Sequence, residues 1–425
     1  MPSKLAIDGG SRVVPEGMIK SWPVITDADR KALVSVLDSG HLHGTSAPLA
    51  TELQNRWAEY CGTKYATVTS SGTGALHMSM MAAGVMPGDE VIVPAFTYWA
   101  TVVPVVQQSG IPIFADIHPE TYTLDPAKIE ERITDHTKAI LPAHIHGMPA
   151  DMDPINEIAR KHGLFVIEDA CQAHGALYKG RKTGSLGDVA GFSCNRSKCL
   201  SGGEGGLVTT SHDDFAAVAD RCRVVGPIAQ TTRDPIYALG WGYRPHEFVN
   251  AFILSQLDRL DEYNGIRRQY AAYITEELAK IPGFEGPVTP DWADPCYFCY
   301  VVTFRPDQLG LDCTVQEWKE ACKKALAAEG MGLGNWQYEP VPGMSVFRDK
   351  VGFGKGHPWS SPLARQNVVY DPEEYPAAKE FINSHAYLGG VYPPNEMDLM
   401  ELYVQGFQKI SENAQRVLEA AREQG

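Results

Sequence analysis

Three runs between Glu168 and Gly206 decide the fold: Glu168-Asp169-Ala170-Cys171-Gln172-Ala173-His174-Gly175, then Gly191-Phe192-Ser193-Cys194-Asn195-Arg196-Ser197-Lys198, then Gly202-Gly203-Glu204-Gly205-Gly206. Ahead of the first lies Leu164-Phe165-Val166-Ile167, a short apolar run of buried-strand type that delivers an acidic pair at its carboxyl end. In open α/β sheets that end is where ligands sit. A second strand-like run, Val189-Ala190-Gly191-Phe192-Ser193, delivers Lys198 soon afterwards, in glycine-rich surroundings with little bulk.

One acid and one lysine, each just past a strand, meet the needs of a pyridoxal phosphate (PLP) site. The lysine amine bonds to the cofactor aldehyde, and the acid keeps the pyridine nitrogen protonated so that the ring accepts electrons. Each residue alone also has an ordinary reading, Asp169 as a helix cap and Lys198 as a solvated loop residue, because most Asp and Lys are surface groups. Together, Ile167 to Ala176 and Phe192-Ser193 followed by Lys198-Cys199-Leu200-Ser201-Gly202-Gly203-Glu204-Gly205-Gly206 resemble the DegT/StrS-type PLP-dependent sugar aminotransferases. That family follows an acid-Asp-Ala-x-Gln-x-His-Gly strand end with Ser-x4-Lys and Gly-Glu-Gly-Gly. The resemblance runs from Trp22 to Gly265 and continues more loosely beyond.

Working outward, Tyr65 to Thr69 reads as a strand that runs into Ser70-Ser71-Gly72-Thr73-Gly74-Ala75-Leu76 and then a helix through Ala83. Strand, small-residue turn and helix N-terminus form a phosphate cradle, because first-turn amides point at the anion and glycine lets the backbone approach. Further strands at Glu90–Pro94, Ile113–Ala115 and Ala139–Pro142 alternate with helices near Pro126–Arg132 and Asp153–His162. That alternation predicts a mainly parallel, doubly wound sheet. Helices are expected at 27–37, 52–61, 247–259 and 399–421, and a strand at 297–302. Trp336 to Gly354, rich in Gly and Pro, reads as a loop over the site.

The resemblance implies a PLP-dependent transferase of fold type I. An N-terminal arm (1–25) would precede a large PLP-binding domain (26–265), with a mainly parallel seven-stranded sheet flanked by helices, and a smaller α+β domain (266–425). It implies Lys198 and Asp169 as catalytic residues. Gly72, Thr73 and Ser193 would hold the cofactor phosphate, Tyr98 would stack on the ring face with Trp99 turned into the core, and Gln172 would lie beside the ring hydroxyl. The loop from Asp38 to Gly44 offers His41 and His43 as substrate contacts, although such loop histidines are also ordinary surface residues. His144 and His146 follow a strand and are read as structural.

Where the family has Asn-Tyr-Arg, with the Asn reaching the cofactor phosphate of the neighbouring subunit, this chain has Gly242-Tyr243-Arg244. Arg244 then becomes the cross-subunit phosphate contact and Tyr243 a substrate contact, in a homodimer with shared active sites. The reaction implied is amino transfer from glutamine or glutamate to a keto-sugar or keto-cyclitol, in amino-sugar, aminocyclitol or antibiotic biosynthesis. Lys4 to Gly10 and Trp22-Pro23 resemble the branch that aminates cyclitols with glutamine. A PLP eliminase or dehydratase, including aminohydroxybenzoate-synthase chemistry, is the enzymatic alternative, and Lys198 disfavours the sugar 3-dehydratases, which carry histidine there. A regulatory protein on the same scaffold is the alternative of another class, disfavoured by the joint presence of Asp169, Ser193 and Lys198.

Composition fits this picture. The chain has 425 residues, 44% hydrophobic and 21% charged, with a formal net charge of −15. That balance excludes a general nucleic-acid binder and an anionic-membrane binder, and no run approaches the length of a membrane span. The first ten residues show no signal-peptide pattern, so a cytoplasmic protein is expected. Nine cysteines without framework spacing are expected to be reduced thiols. Cys296-Tyr297-Phe298-Cys299 is a CxxC without a second pair, for which neither metal nor redox chemistry is expected.

Overall fold

The computed structural model describes residues 3–43, 47–229 and 236–423. Parts of the expected pocket loops, 44–46 (which includes Gly44) and 230–235, lie outside the described residues. The expected α/β architecture is present. Seven strands, β1 Tyr65–Thr69, β2 Glu90–Pro94, β3 Ile111–Ala115, β4 Thr137–Ile140, β5 Phe165–Asp169, β6 Val189–Ser193 and β7 Gly206–Thr210, form one sheet in the order β3-β2-β4-β5-β6-β7-β1. Only β7 runs against the rest, pairing antiparallel with both β6 and β1. β2, β3, β6 and β7 are buried at every position. This explains their continuous apolar character: a sheet covered by helices on both faces has no solvent side to alternate with.

The covering helices include α1 Asp27–Ser39, α2 Pro48–Cys61, α3 Gly72–Ala82, α4 Met152–His162, α5 Asp213–Cys222 and α6 Glu247–Leu257. Register sets up the site. Thr69, Gly206 and Ser193 lie opposite one another on β1, β7 and β6, and Asp169 lies opposite Gly191. The carboxyl ends of β1, β5 and β6 and the glycine-rich entry to β7 therefore meet at one edge.

After α7 (Leu260–Leu278), which runs unbroken across position 265, a second sheet forms from β8 Phe284–Glu285, β9 Tyr300–Phe304, β10 Leu333–Gly334 and β11 His385–Leu388, all antiparallel. It packs with α8 Val315–Ala328, α10 Met397–Glu412 and α11 Ala414–Glu423 around its own core of Phe284, Phe304, Trp318, Tyr403 and Phe407. The chain crosses back between these layers. Val341, Phe347, Trp359, Tyr370, Tyr375 and, on α9 (Pro376–Ser384), Phe381 belong to the core of the large sheet. Arg365 Nε donates to the buried Glu90 Oε1 of β2 at 2.5 Å.

Four local expectations are corrected. The segment at 126–132 is two 3-10 turns, Pro126–Lys128 and Glu130–Arg132, not a helix: Asp125 caps Ala127 N and the chain turns extended at Ile133. The terminal helix breaks at Asn413, whose Nδ2 donates to Lys409 O (2.8 Å) and so competes with the helical ladder. Trp99 is 46% exposed, not core: it opens a 3-10 turn, Trp99–Thr101, in which Thr101 is the residue turned inward. Of the loop expected over the site, Trp336 lines it, whereas Val341 and Phe347 pack on the large sheet.

Candidate active site

At the end of β1 the chain stays extended through Ser71 (φ −165°), the N-cap of α3. Ser71 Oγ accepts from Gly74 N at 3.0 Å, a cap that stabilises a helix by about 1 kcal/mol. Among the described residues the amides of Gly72 and Thr73 have no partner, so they are available to an anion at the positive end of α3. Ser193, from β6, closes against this turn. A Cβ on Gly72 would lie 2.4 Å from Ser193 Cβ, so only glycine lets the two elements meet. Gly206 is held to the same rule, since a Cβ there would lie 2.4 Å from Ser71 O.

The acidic pair splits, as adjacent residues on a strand must, because they face opposite sides of the sheet. Glu168 is fully buried: it accepts from His144 Nε2 (2.9 Å), Gly184 N (2.8 Å), Leu186 N and Gly187 N (both 2.7 Å). His144 Nδ1 in turn accepts from Ala150 N at 3.0 Å, which fixes the tautomer with its proton on Nε2. Both residues are scaffold. Asp169 instead faces the cavity. It accepts from Thr101 Oγ1 (2.6 Å) and Cys171 N (3.0 Å), and Thr101 is itself bonded to Thr97 Oγ1 (2.8 Å).

Lys198 is 8% exposed, and its Nζ lies 4.5 Å from the Phe298 ring centre and 6.0 Å from that of Tyr98. No described residue hydrogen-bonds or ion-pairs with this amine, so a buried amine is left free to react. Its backbone is fixed from both sides: Lys198 N donates to Asn195 O (2.9 Å), and Trp22 Nε1 donates to Lys198 O (2.9 Å). The N-terminal arm thus reaches under the reactive lysine.

These groups line one cavity of about 320 Å³, which Gly72, Thr73, Tyr98, Asp169, Gln172, Ser193 and Lys198 all border. Gln172 Oε1 accepts from His146 N at 2.8 Å, which leaves its amide hydrogens as donors. The wall is completed by Ser71, Thr101, Cys171, Asn195, Ser197 and Glu204, which had no expected role there, and by Trp336 of the loop expected over the site. The Trp336 ring sits edge-on to Tyr98 (5.9 Å) and Phe298 (6.0 Å).

Four expected residues are not brought to this cavity. His41, His43 and Arg244 are exposed. Tyr243 lies against α3, bonded to His77 Nδ1 at 2.9 Å. Gln108 Oε1 faces His77 Nε2 (3.0 Å) and its own Nε2 donates to Val85 O, so His77 carries its proton on Nε2 and Tyr243 is the donor. His146 and His174 are buried near the site, where burial, helped by the Lys198 charge, pushes each down to about 3. Neutral at ordinary pH and with no acid partner among the described residues, neither is equipped to carry protons.

The donor set therefore suits a flat, anion-bearing ring. Two free amides, a serine hydroxyl, a carboxylate able to hold a cationic ring nitrogen and an unpaired amine border the same space. Comparison with known proteins agrees. A model of the DegT/DnrJ/EryC1/StrS aminotransferase family matches residues 23–368. The GDP-perosamine synthase of Caulobacter vibrioides is 44% identical over 230 residues, which span 54% of this chain and 62% of that protein. The L-glutamine:scyllo-inosose aminotransferase of Streptomyces griseus is 34% identical, over 77% of this chain and 80% of that one. Among solved structures, S. venezuelae DesV matches with a TM-score of 0.77 and 30% identity, over 91% of this chain and 95% of that chain.

Proposed function

The chain belongs to the DegT/DnrJ/EryC1/StrS aminotransferase family, and we propose that it uses pyridoxal phosphate to move an amino group from glutamine or glutamate to the carbonyl of a keto-sugar or keto-cyclitol. One observation carries this reading: Lys198, Asp169 and the Gly72–Thr73 turn border the same cavity. When bound, the cofactor supplies an aldehyde that captures amines and a protonated ring that draws electrons from them.

The chain's own residues divide the remaining work. The Gly72 and Thr73 amides and the Ser193 hydroxyl would hold the phosphate. Asp169, fixed by the Thr101 hydroxyl on one carboxylate oxygen and Cys171 N on the other, would keep a proton on the ring nitrogen. Gln172 would donate to the ring hydroxyl through the amide hydrogens that His146 leaves free. Tyr98 would cover one ring face, with the Trp336 ring edge-on beside it. Lys198 Nζ would hold the cofactor and would take and return the proton at the donor's Cα. In this reading the protein is a cytoplasmic homodimer. Arg244, exposed in its own subunit, reaches the neighbour's phosphate in place of the side chain that Gly242 lacks, and His41, His43 and Tyr243 belong to the acceptor side of that shared site.

Single-turnover reactions test it. Holoenzyme should take an amino group from glutamine or glutamate and then pass it on to one member of a panel of keto-sugars and keto-cyclitols. Absence of amino transfer from either donor would overturn the proposal.

A further inference from the structure

Behind the reactive lysine lies a second chemical feature that transamination does not use. Cys199, the residue after Lys198, is buried with its Sγ 3.9 Å from Cys296 Sγ, which is also buried. Cys296 sits on the loop that presents Phe298 to Lys198 Nζ. Its single thiol proton has two acceptors in reach, Gln172 O at 3.3 Å and Cys199 Sγ at 3.9 Å, and its amide donates to Gly147 O at 3.1 Å. Gly147 has φ +89°, and a Cβ there would lie 2.8 Å from Cys296 Sγ, so the fold leaves room for this sulfur. The CxxC run of the sequence thus contributes its first cysteine to a pair, but the partner is Cys199, not Cys299.

Charge around the pair is lopsided. Arg267 is buried, and among the described residues it meets no carboxylate: its contacts are Asn264 Oδ1 at 3.4 Å and the Trp22 ring at 4.3 Å. A buried cation without an anion is costly, and a thiolate at Cys199 would supply one. The Cys296 thiol beside it, followed by the Arg267, Lys198 and Arg268 charges, holds the Cys199 thiol below the usual range against the opposing effect of burial, while Cys296 is pushed up. One activated thiolate beside one protonated thiol is the arrangement in which peroxide chemistry proceeds.

We propose that Cys199 and Cys296 form an oxidation site: hydrogen peroxide converts them to a disulfide that switches the transaminase off, and thiols switch it on again. This rests on the aminotransferase reading only for its activity readout. In the first step the Cys199 thiolate attacks a peroxide oxygen. An S–O bond forms, the O–O bond breaks, and the departing hydroxide takes a proton to become water. In the second, Cys296 loses its proton and attacks the Cys199 sulfur. An S–S bond forms, the S–O bond breaks, and a second water leaves. Two thiols are oxidised by two electrons and one peroxide is reduced to two waters.

The consequence for the site is geometric. The sulfurs must close from 3.9 Å to a bond length of about 2.05 Å. Loss of the Cys296 proton leaves Gln172 O without that donor, and closure draws the Phe298 loop and the Lys198 turn towards each other, distorting the cavity around the lysine.

The test uses holoenzyme treated with hydrogen peroxide, followed by peptide mapping under non-reducing conditions and by the donor half-reaction. The expected result is a linked peptide pair containing Cys199 and Cys296, two hydrogens lighter than the free peptides, with activity falling on the order of tenfold and returning on dithiothreitol treatment. Cys296→Ser, which keeps a donor for Gln172 O, should keep its basal activity and its fold, form no linked pair and recover less activity under thiol. A map that places the disulfide elsewhere, or a Cys296→Ser protein that still loses and regains activity like wild type, would overturn the proposal. An enzyme without transaminase activity that still forms the Cys199–Cys296 link would count against the function and leave the oxidation site standing.

Discussion

At the floor of the cavity, Gly72, Thr73, Asp169, Ser193 and Lys198 stand at or just past strand ends whose register is fixed by a fully paired sheet. At the rim, Asn195, Ser197, Glu204, Tyr98 and Trp336 come from loops, and Tyr98 is 46% exposed. The floor can move only if the sheet moves, whereas the rim is held by side-chain contacts such as Asn195 Nδ2 to Glu204 Oε1 (3.0 Å). Conserved-geometry work, binding the cofactor and moving the proton, belongs on the first. Choice among acceptors belongs on the second.

The sharpest break of this comparison lies within the floor, between two neighbouring acids. Asp169→Asn should keep the fold and bind cofactor but lose on the order of 10²-fold or more in half-reaction rate, because an amide cannot hold the ring nitrogen protonated. Glu168→Gln should do the reverse. It misplaces a donor among the amides of Gly184, Leu186 and Gly187, lowering stability by roughly 3 kcal/mol in urea unfolding while the surviving enzyme keeps its chemistry. If both variants fail in the same way, the split between the two faces of β5 is not functional.

Gly72→Ala is next in size. Its Cβ would meet Ser193 Cβ at 2.4 Å, so α3 and β6 must part and the phosphate amides shift with them. Cofactor retention, measured by equilibrium dialysis, should weaken by about tenfold or more, the scale of losing one charge-assisted contact. Unchanged retention would show that the phosphate lies elsewhere.

The rim and its neighbour give the smallest effect. Arg244→Ala should weaken cofactor retention several-fold, since a guanidinium contact across an interface contributes on the order of 1 kcal/mol when half-exposed. Mixed with Lys198→Ala, it should restore partial activity, because one hybrid site receives both intact residues. No rescue despite demonstrated subunit exchange would count against shared sites.

Much of this floor was legible in the amino-acid sequence for a physical reason. β5, β6 and the β1–α3 turn are local: a short apolar run, a small-residue turn and a capped helix each announce themselves within about ten residues. What the sequence hid depends on chain segments that meet only after folding. Thr101 bonds Asp169 from 68 positions away, and Trp22 bonds the Lys198 carbonyl from 176 positions away. Phe298 reaches Lys198 Nζ from beyond the large sheet. Trp99 was misplaced because two adjacent aromatic residues look alike in sequence, and the 3-10 turn that sends Thr101 inward has no periodic signature. The break at Asn413 was hidden because the apolar spacing continues through it, while the local side-chain bond to Lys409 O ends the helix.

The central claim is that Lys198 is the residue that carries the cofactor. Reduction of holoenzyme with borohydride, followed by peptide mapping, tests it most directly: the account predicts a pyridoxyl group on Lys198 and none on a Lys198→Ala protein. A pyridoxyl group found on another lysine of the wild-type chain would contradict it.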